Sequence, residues 1–136
     1  MEKQSNQALL RRALLGNAAF STLCGVTLLV AAGSLAPLLG IPTLALRITG
    51  LALLPFAFGL FQNARREKVQ RGEAWLAVVL DGAWVLGSAA LVLADLWPLQ
   101  TAGVWAVLVV AEVVLLCAIL QAVGLKRTAR AATASL

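Results

Sequence analysis

The chain has 136 residues, 61% of them hydrophobic and 12% charged, with a mean hydropathy of +0.91. Soluble domains carry about 25% charged residues, so this composition excludes an ordinary water-soluble globule, a disordered chain and a coiled coil, and makes the bilayer the solvent. The net charge of +5 would suit a nucleic-acid binder, but its placement suits a membrane, and no nucleic-acid partner is expected.

A spanning helix needs about 20 apolar residues, which leaves room for four spans and no soluble domain. Met1 to Gln7 is polar, Arg11 and Arg12 make a basic step, and residues 13–33 carry no charge, which predicts the first span. A signal peptide competes for this stretch, because Ala31-Ala32-Gly33 imitates a cleavage site; the apolar run is about twice the usual 7 to 15 residues, so a retained anchor is expected. Residues 34–42, with Pro37, Gly40 and Pro42, predict a short uncharged turn.

The second span is expected over 43–61 and contains Arg47 and Pro55. A mid-span proline removes a backbone donor and bends the helix. Residues 62–73 form the polar loop, with Arg65, Arg66, Lys68 and Arg71. The third span is predicted over 74–94, followed by the turn Asp95-Leu96-Trp97-Pro98-Leu99-Gln100. The fourth starts at Thr101, a fitting N-cap, and fades near Gly124, before Lys126, Arg127 and Arg130. The fold class is therefore an all-α, four-helix transmembrane bundle forming a single domain.

Ten of the eleven basic residues fall in the amino tail, the middle loop and the carboxyl tail, and none in the two opposite turns. The positive-inside rule then predicts that both termini and the middle loop are cytoplasmic and that the two short turns face the periplasm or exterior. Such asymmetry disfavours the dual-topology small multidrug exporters. The basic loop reads chiefly as a topology signal lying against anionic headgroups, with a partner site as the sharper alternative. Trp75 and Trp97 fall at the two interfaces, where an aromatic belt is expected.

Chemistry-bearing residues are few. The absence of histidine removes the commonest haem and zinc ligand and the usual general base. Cys24 and Cys117 stand alone in separate spans without a C-x-x-C pair. No metal, cofactor or catalytic residue is expected, and the protein reads as a non-enzyme.

Within the spans lie Arg47, Asp81 and Glu112, each costing about 2.5 to 3.5 kcal/mol at a helix centre on the insertion scale, so they should face the bundle interior and one another. Asn17 lies near the depth of Asp81 and is a natural hydrogen-bond partner for it. The four residues are read as one intramembrane polar cluster. Two stripes should pack span one on span three: Asn17, Ser21, Cys24 and Gly25 on the first, and Asp81, Trp84, Val85, Ser88 and Asp95 on the third, with the small-residue pairs Ser21-x-x-x-Gly25 and Ala83-x-x-x-Gly87.

Asn17-Ala-Ala-Phe20 and Asp81-Gly-Ala-Trp84 match in character at an offset of 64, and the same offset takes Arg47 to Ala111, next to Glu112. Duplication of a helical hairpin would make Asn17 with Asp81, and Arg47 with Glu112, symmetry-related pairs.

The cluster admits a structural role and two functional ones. As a clasp it fixes helix register, like a buried Asn in a coiled coil. Alternatively, one Arg neutralises one carboxylate, and the leftover carboxyl takes up and releases a proton, as a proton-coupled carrier or pore requires. The third reading makes it a surface that pairs with a partner subunit. A lipid or quinone binder using Trp84 and Trp105 is a weaker reading.

At Asn17-Ala-x-Phe20-Ser21-x3-Gly25, Arg47-x2-Gly50 and Asp81-x2-Trp84-Val85-x-Gly87-Ser88, the chain resembles small four-span bacterial inner-membrane proteins, and more loosely DoxX-like proteins. That resemblance implies an accessory role beside membrane oxidoreductases and brings no catalytic residue. The expected function is an accessory or assembly subunit of a membrane complex, or a self-associating bundle.

Overall fold

The computed structural model describes residues 1–135, which are helical apart from short connections. Its elements are α1 (Glu2–Val30), α2 (Ala32–Leu39), α3 (Thr43–Arg65), α4 (Arg71–Leu93) and α5 (Thr101–Thr133). Four of them, α1, α3, α4 and α5, are long and apolar enough to cross a membrane. At 1.5 Å per residue, α3 and α4 are each about 35 Å long, which matches a bilayer core of about 30 Å. By the same rise α1 is about 44 Å and α5 about 50 Å, so both run past the core at the end that carries Arg12, Lys126, Arg127 and Arg130.

Helices run past several expected bounds: α1 starts at Glu2, inside the polar tail, and the expected loop over 62–73 keeps only residues 66–70 outside α3 and α4. Two further departures have a local cause. Residues 34–42 are not simply a turn, because α2 occupies most of them. Pro37 forgoes a single backbone hydrogen bond there, and the helix stops only at Gly40, whose φ of 72° puts it in the left-handed region that favours glycine. The second departure is at Gly124, which does not end the fourth span: α5 continues through the basic tail to Thr133. Gly124 is needed for contact instead, since a Cβ there would lie 3.1 Å from the Cα of Leu10. Lys, Arg and Ala then carry the helix onward by propensity.

Side-by-side packing joins α1 to α3 and α5, and α4 to α5, whereas α3 and α4 touch little beyond their connection. The bundle thus runs α3–α1–α5–α4, with α1 and α4 across its diagonal. The apolar core lies in the half nearer the basic end, where Leu10, Leu14 and Ala18 of α1 meet Leu60 and Ala64 of α3, Ala74 and Ala77 of α4 and Leu125 of α5. At the opposite end α2 is stitched to the α4–α5 turn. The Gln100 N–H donates to the Leu39 carbonyl at 3.0 Å, and Gly103 packs directly against that carbonyl.

The basic loop is short and held from within. Asn63 is buried, and its amide pairs with the backbone of Gln70 in both directions: Nδ2 donates to the carbonyl at 3.1 Å and Oδ1 accepts the N–H at 2.7 Å. Arg11 reaches over from α1 and donates to the carbonyls of Ala64 and Glu67 at 3.3 and 2.6 Å, satisfying one group that the end of α3 leaves free and one in the loop itself. Asn63→Ala leaves the Gln70 N–H without its acceptor, while the Gln70 carbonyl keeps the Ala74 N–H, so it is expected to cost about 1–3 kcal/mol, read as a lower thermal midpoint in mild detergent. An unchanged midpoint would show that the loop does not depend on this pairing.

Candidate functional site

The sequence reading groups Asn17, Arg47, Asp81 and Glu112 into one cluster; the structure divides them. Asn17 of α1 is fully buried, Asp81 of α4 is 4% exposed, and Asn17 Nδ2 donates to Asp81 Oδ2 at 2.7 Å. Ser21, one turn further along α1, donates to Asn17 Oδ1 at 3.2 Å. A three-residue chain, Ser21 to Asn17 to Asp81, therefore bridges the diagonal of the bundle. Interhelical side-chain bonds of this kind hold membrane helices in one register.

Arg47 and Glu112 point outward and join no ion pair among the described residues, where the ion pair found is Arg66 with Glu73 at 3.0 Å. Helical geometry gives the reason. On α3 the buried stripe is Leu46, Gly50, Ala57 and Leu60, and Arg47 stands about 100° round from Leu46. On α5 the stripe is Ala111, Val114, Ala118 and Gln121, and Glu112 stands one residue past it. The offset of 64 thus takes Arg47 to Ala111, the residue that packs inward, and not to Glu112.

The packing stripes are corrected in part. Ser21, Gly25 and Ser88 are buried, but Trp84 and Gly87 are exposed, and a Cβ at Gly87 would meet open space. Gly25 faces α3 rather than α4. A Cβ on Gly50 would lie 2.7 Å from the Gly25 carbonyl oxygen, and one on Gly25 would lie 3.1 Å from the Gly50 carbonyl oxygen. These two glycines set the α1–α3 approach, so span one packs along span two and meets span three through the Asn17–Asp81 bond.

Of the four basic residues expected in one loop, Arg65 closes α3 and lies over the Phe61 ring at 5.4 Å from its centroid, Arg71 opens α4 and is exposed, and only Arg66, paired with Glu73, and the exposed Lys68 lie in the loop itself. The Arg66–Glu73 pair is about half exposed on both sides and adds little stability. Trp105, like Trp84, is on the outer surface. Cys24 and Cys117 are both free thiols.

Two features escape the sequence reading. Asn63 and Arg11 organise the loop although both resemble ordinary loop and topology residues. Gln121 is fully buried on α5, and neither its Oε1 nor its Nε2 has a hydrogen-bond partner among the described residues. Its place on the Ala111–Val114–Ala118 stripe was a readable signal for an inward-facing amide. Among the described residues no group of three or more His, Cys, Asp or Glu is arranged to hold a metal ion.

No protein-family model, no curated protein and no solved structure matches the chain.

Proposed function

We propose that the protein is a non-enzymatic integral membrane subunit that works by lateral association through the outer face of α5. Glu112 carries this reading. It lies near the middle of a spanning helix, on the face turned away from the bundle, among exposed Trp105, Leu108, Leu115 and Leu116. An apolar helix face needs no cover in a bilayer, because lipid is as apolar as leucine. A carboxyl group at that depth does need one, at a cost of about 2.5 to 3.5 kcal/mol on the insertion scale if it meets hydrocarbon.

The Ser21–Asn17–Asp81 chain is by contrast satisfied inside the chain, which favours the clasp role for that half of the cluster. The charge asymmetry supports cytoplasmic termini, and the resemblance to small four-span bacterial proteins supports an inner-membrane location. An accessory role of the kind found among DoxX-like proteins is in keeping with this reading. Extraction of native membranes in a mild detergent tests it: the particle is expected to contain more than one polypeptide, and a particle of one chain alone would overturn the proposal.

A proton-coupled small-solute carrier or pore using Asp81, Glu112 and Arg47 is the second reading, and the buried Asp81 carboxyl supports it, since its donor is the neutral Asn17 amide and no cation pairs with it among the described residues. It requires that Asp81→Asn and Glu112→Gln abolish a pH-dependent flux in proteoliposomes while the fold persists. Unchanged flux in both variants would end it.

A further inference from the structure

We infer that the partner on the α5 face is a second copy of this chain, related by a two-fold axis along the membrane normal, with the two Glu112 carboxyl groups hydrogen-bonded to each other across the seam. The inference rests on the association reading above and names its occupant.

Three observations select a second copy. The first is depth. Arg47, the other exposed ionisable group within a span, is four residues from the start of α3, whereas Glu112 is eleven from the start of α5. Both starts lie at the end of the bundle where Gly40 contacts Pro98 and Gln100. The two groups are therefore about 10 Å apart in depth, and Arg47 has the shorter route outward to the interface. A two-fold axis along the normal places Glu112 of one copy at the depth of Glu112 of the other without further adjustment.

The second is hydrogen-bond complementarity. A carboxyl group is both acceptor and, when it holds a proton, donor. Two of them can therefore satisfy each other, the hydroxyl of one donating to an oxygen of the other, where two ammonium or two guanidinium groups could not.

The third is spacing. Trp105, Val109, Glu112, Leu116 and Ile119 are all exposed and follow one another at intervals of four, three, four and three. That is the a/d pattern by which parallel helices interdigitate, with a single polar residue inside it to fix register. Two identical helices in parallel present matching knobs and holes along this line.

The test is oxidative cross-linking in membranes. Cys24 and Cys117 are first replaced by Ala, and Val109→Cys or Leu116→Cys is then added. Cα atoms within about 7 Å can form a disulfide, so either seam position is expected to give a covalent dimer. Leu93→Cys on α4 should give none. Glu112→Leu in the same background should lose most of the cross-link, and Glu112→Gln, which keeps a donor and an acceptor, should retain it.

A homo-oligomer that does not cross-link at 109 or 116 would overturn the inference and leave the association reading standing. The same holds for a native particle in which one copy of this chain accompanies a different protein. A lone chain in native extracts would overturn both.

Discussion

Gly50→Val is expected to force α1 and α3 apart and to lower stability by about 1–3 kcal/mol or more, as overpacking in a close-packed interior does. The cause is local. Even a single Cβ at Gly50 would sit 2.7 Å from the carbonyl oxygen of Gly25 and 3.1 Å from side-chain atoms of Leu28 and Leu29. Two of these neighbours cannot yield cheaply, since the carbonyl belongs to the α1 backbone and the Leu28 atom is its Cβ. Gly87→Ala is the matched control, because a Cβ there meets open space. It should change stability by no more than about 0.5 kcal/mol, or raise it slightly through helix propensity. Thermal midpoints of the two variants in the same detergent decide the matter: equal midpoints would show that the Gly25–Gly50 approach does not hold the seam.

Asn17→Ala is expected to be the second costly change. The bond itself is worth little, since interhelical hydrogen bonds in membranes average about 0.6 kcal/mol. Its loss matters more than its presence, for Asp81 would be left buried without its donor, at about 1–3 kcal/mol. The sign of a double-mutant cycle follows. Asn17→Ala with Asp81→Ala removes both partners and should cost less than the sum of the two single changes. Asp81→Asn keeps an acceptor for Asn17 Nδ2 and should be milder than either. Strict additivity across the cycle would remove the clasp from the account.

The spans were legible because their signals are long: apolar runs bounded by Pro, Gly and clusters of basic residues determine where a chain can cross a bilayer. Asn17 and Asp81 could be paired because both are polar, both lie inside a span and both lie at similar depth. Depth is fixed by counting along a helix, but direction around the helix depends on which neighbours pack. Arg47 and Glu112 show the difference. Each stands one residue past a position that packs inward, Leu46 and Ala111, and a rotation of about 100° turns an expected interior charge into an outward one.

Glycine was ambiguous for a similar reason. Gly25, Gly50 and Gly124 are contact points and Gly40 is a helix stop, yet Gly87, in an equally suggestive small-residue pair, faces outward. The clasp of Asn63 on Gln70 and the reach of Arg11 to Ala64 and Glu67 were not legible, because they join side chains to backbone carbonyls whose positions exist only once α3 has ended.

The outward position of Glu112 lets one comparison decide whether the chain associates through α5: the mass of the particle extracted from native membranes carrying the wild-type chain or Glu112→Leu. Leucine is suited to a lipid-facing position, so the variant chain should fold and insert as the wild type does. A multi-chain particle is expected for the wild type and a single chain of 14.2 kDa for the variant. Particles of equal mass from the two would show that the chain does not associate through Glu112.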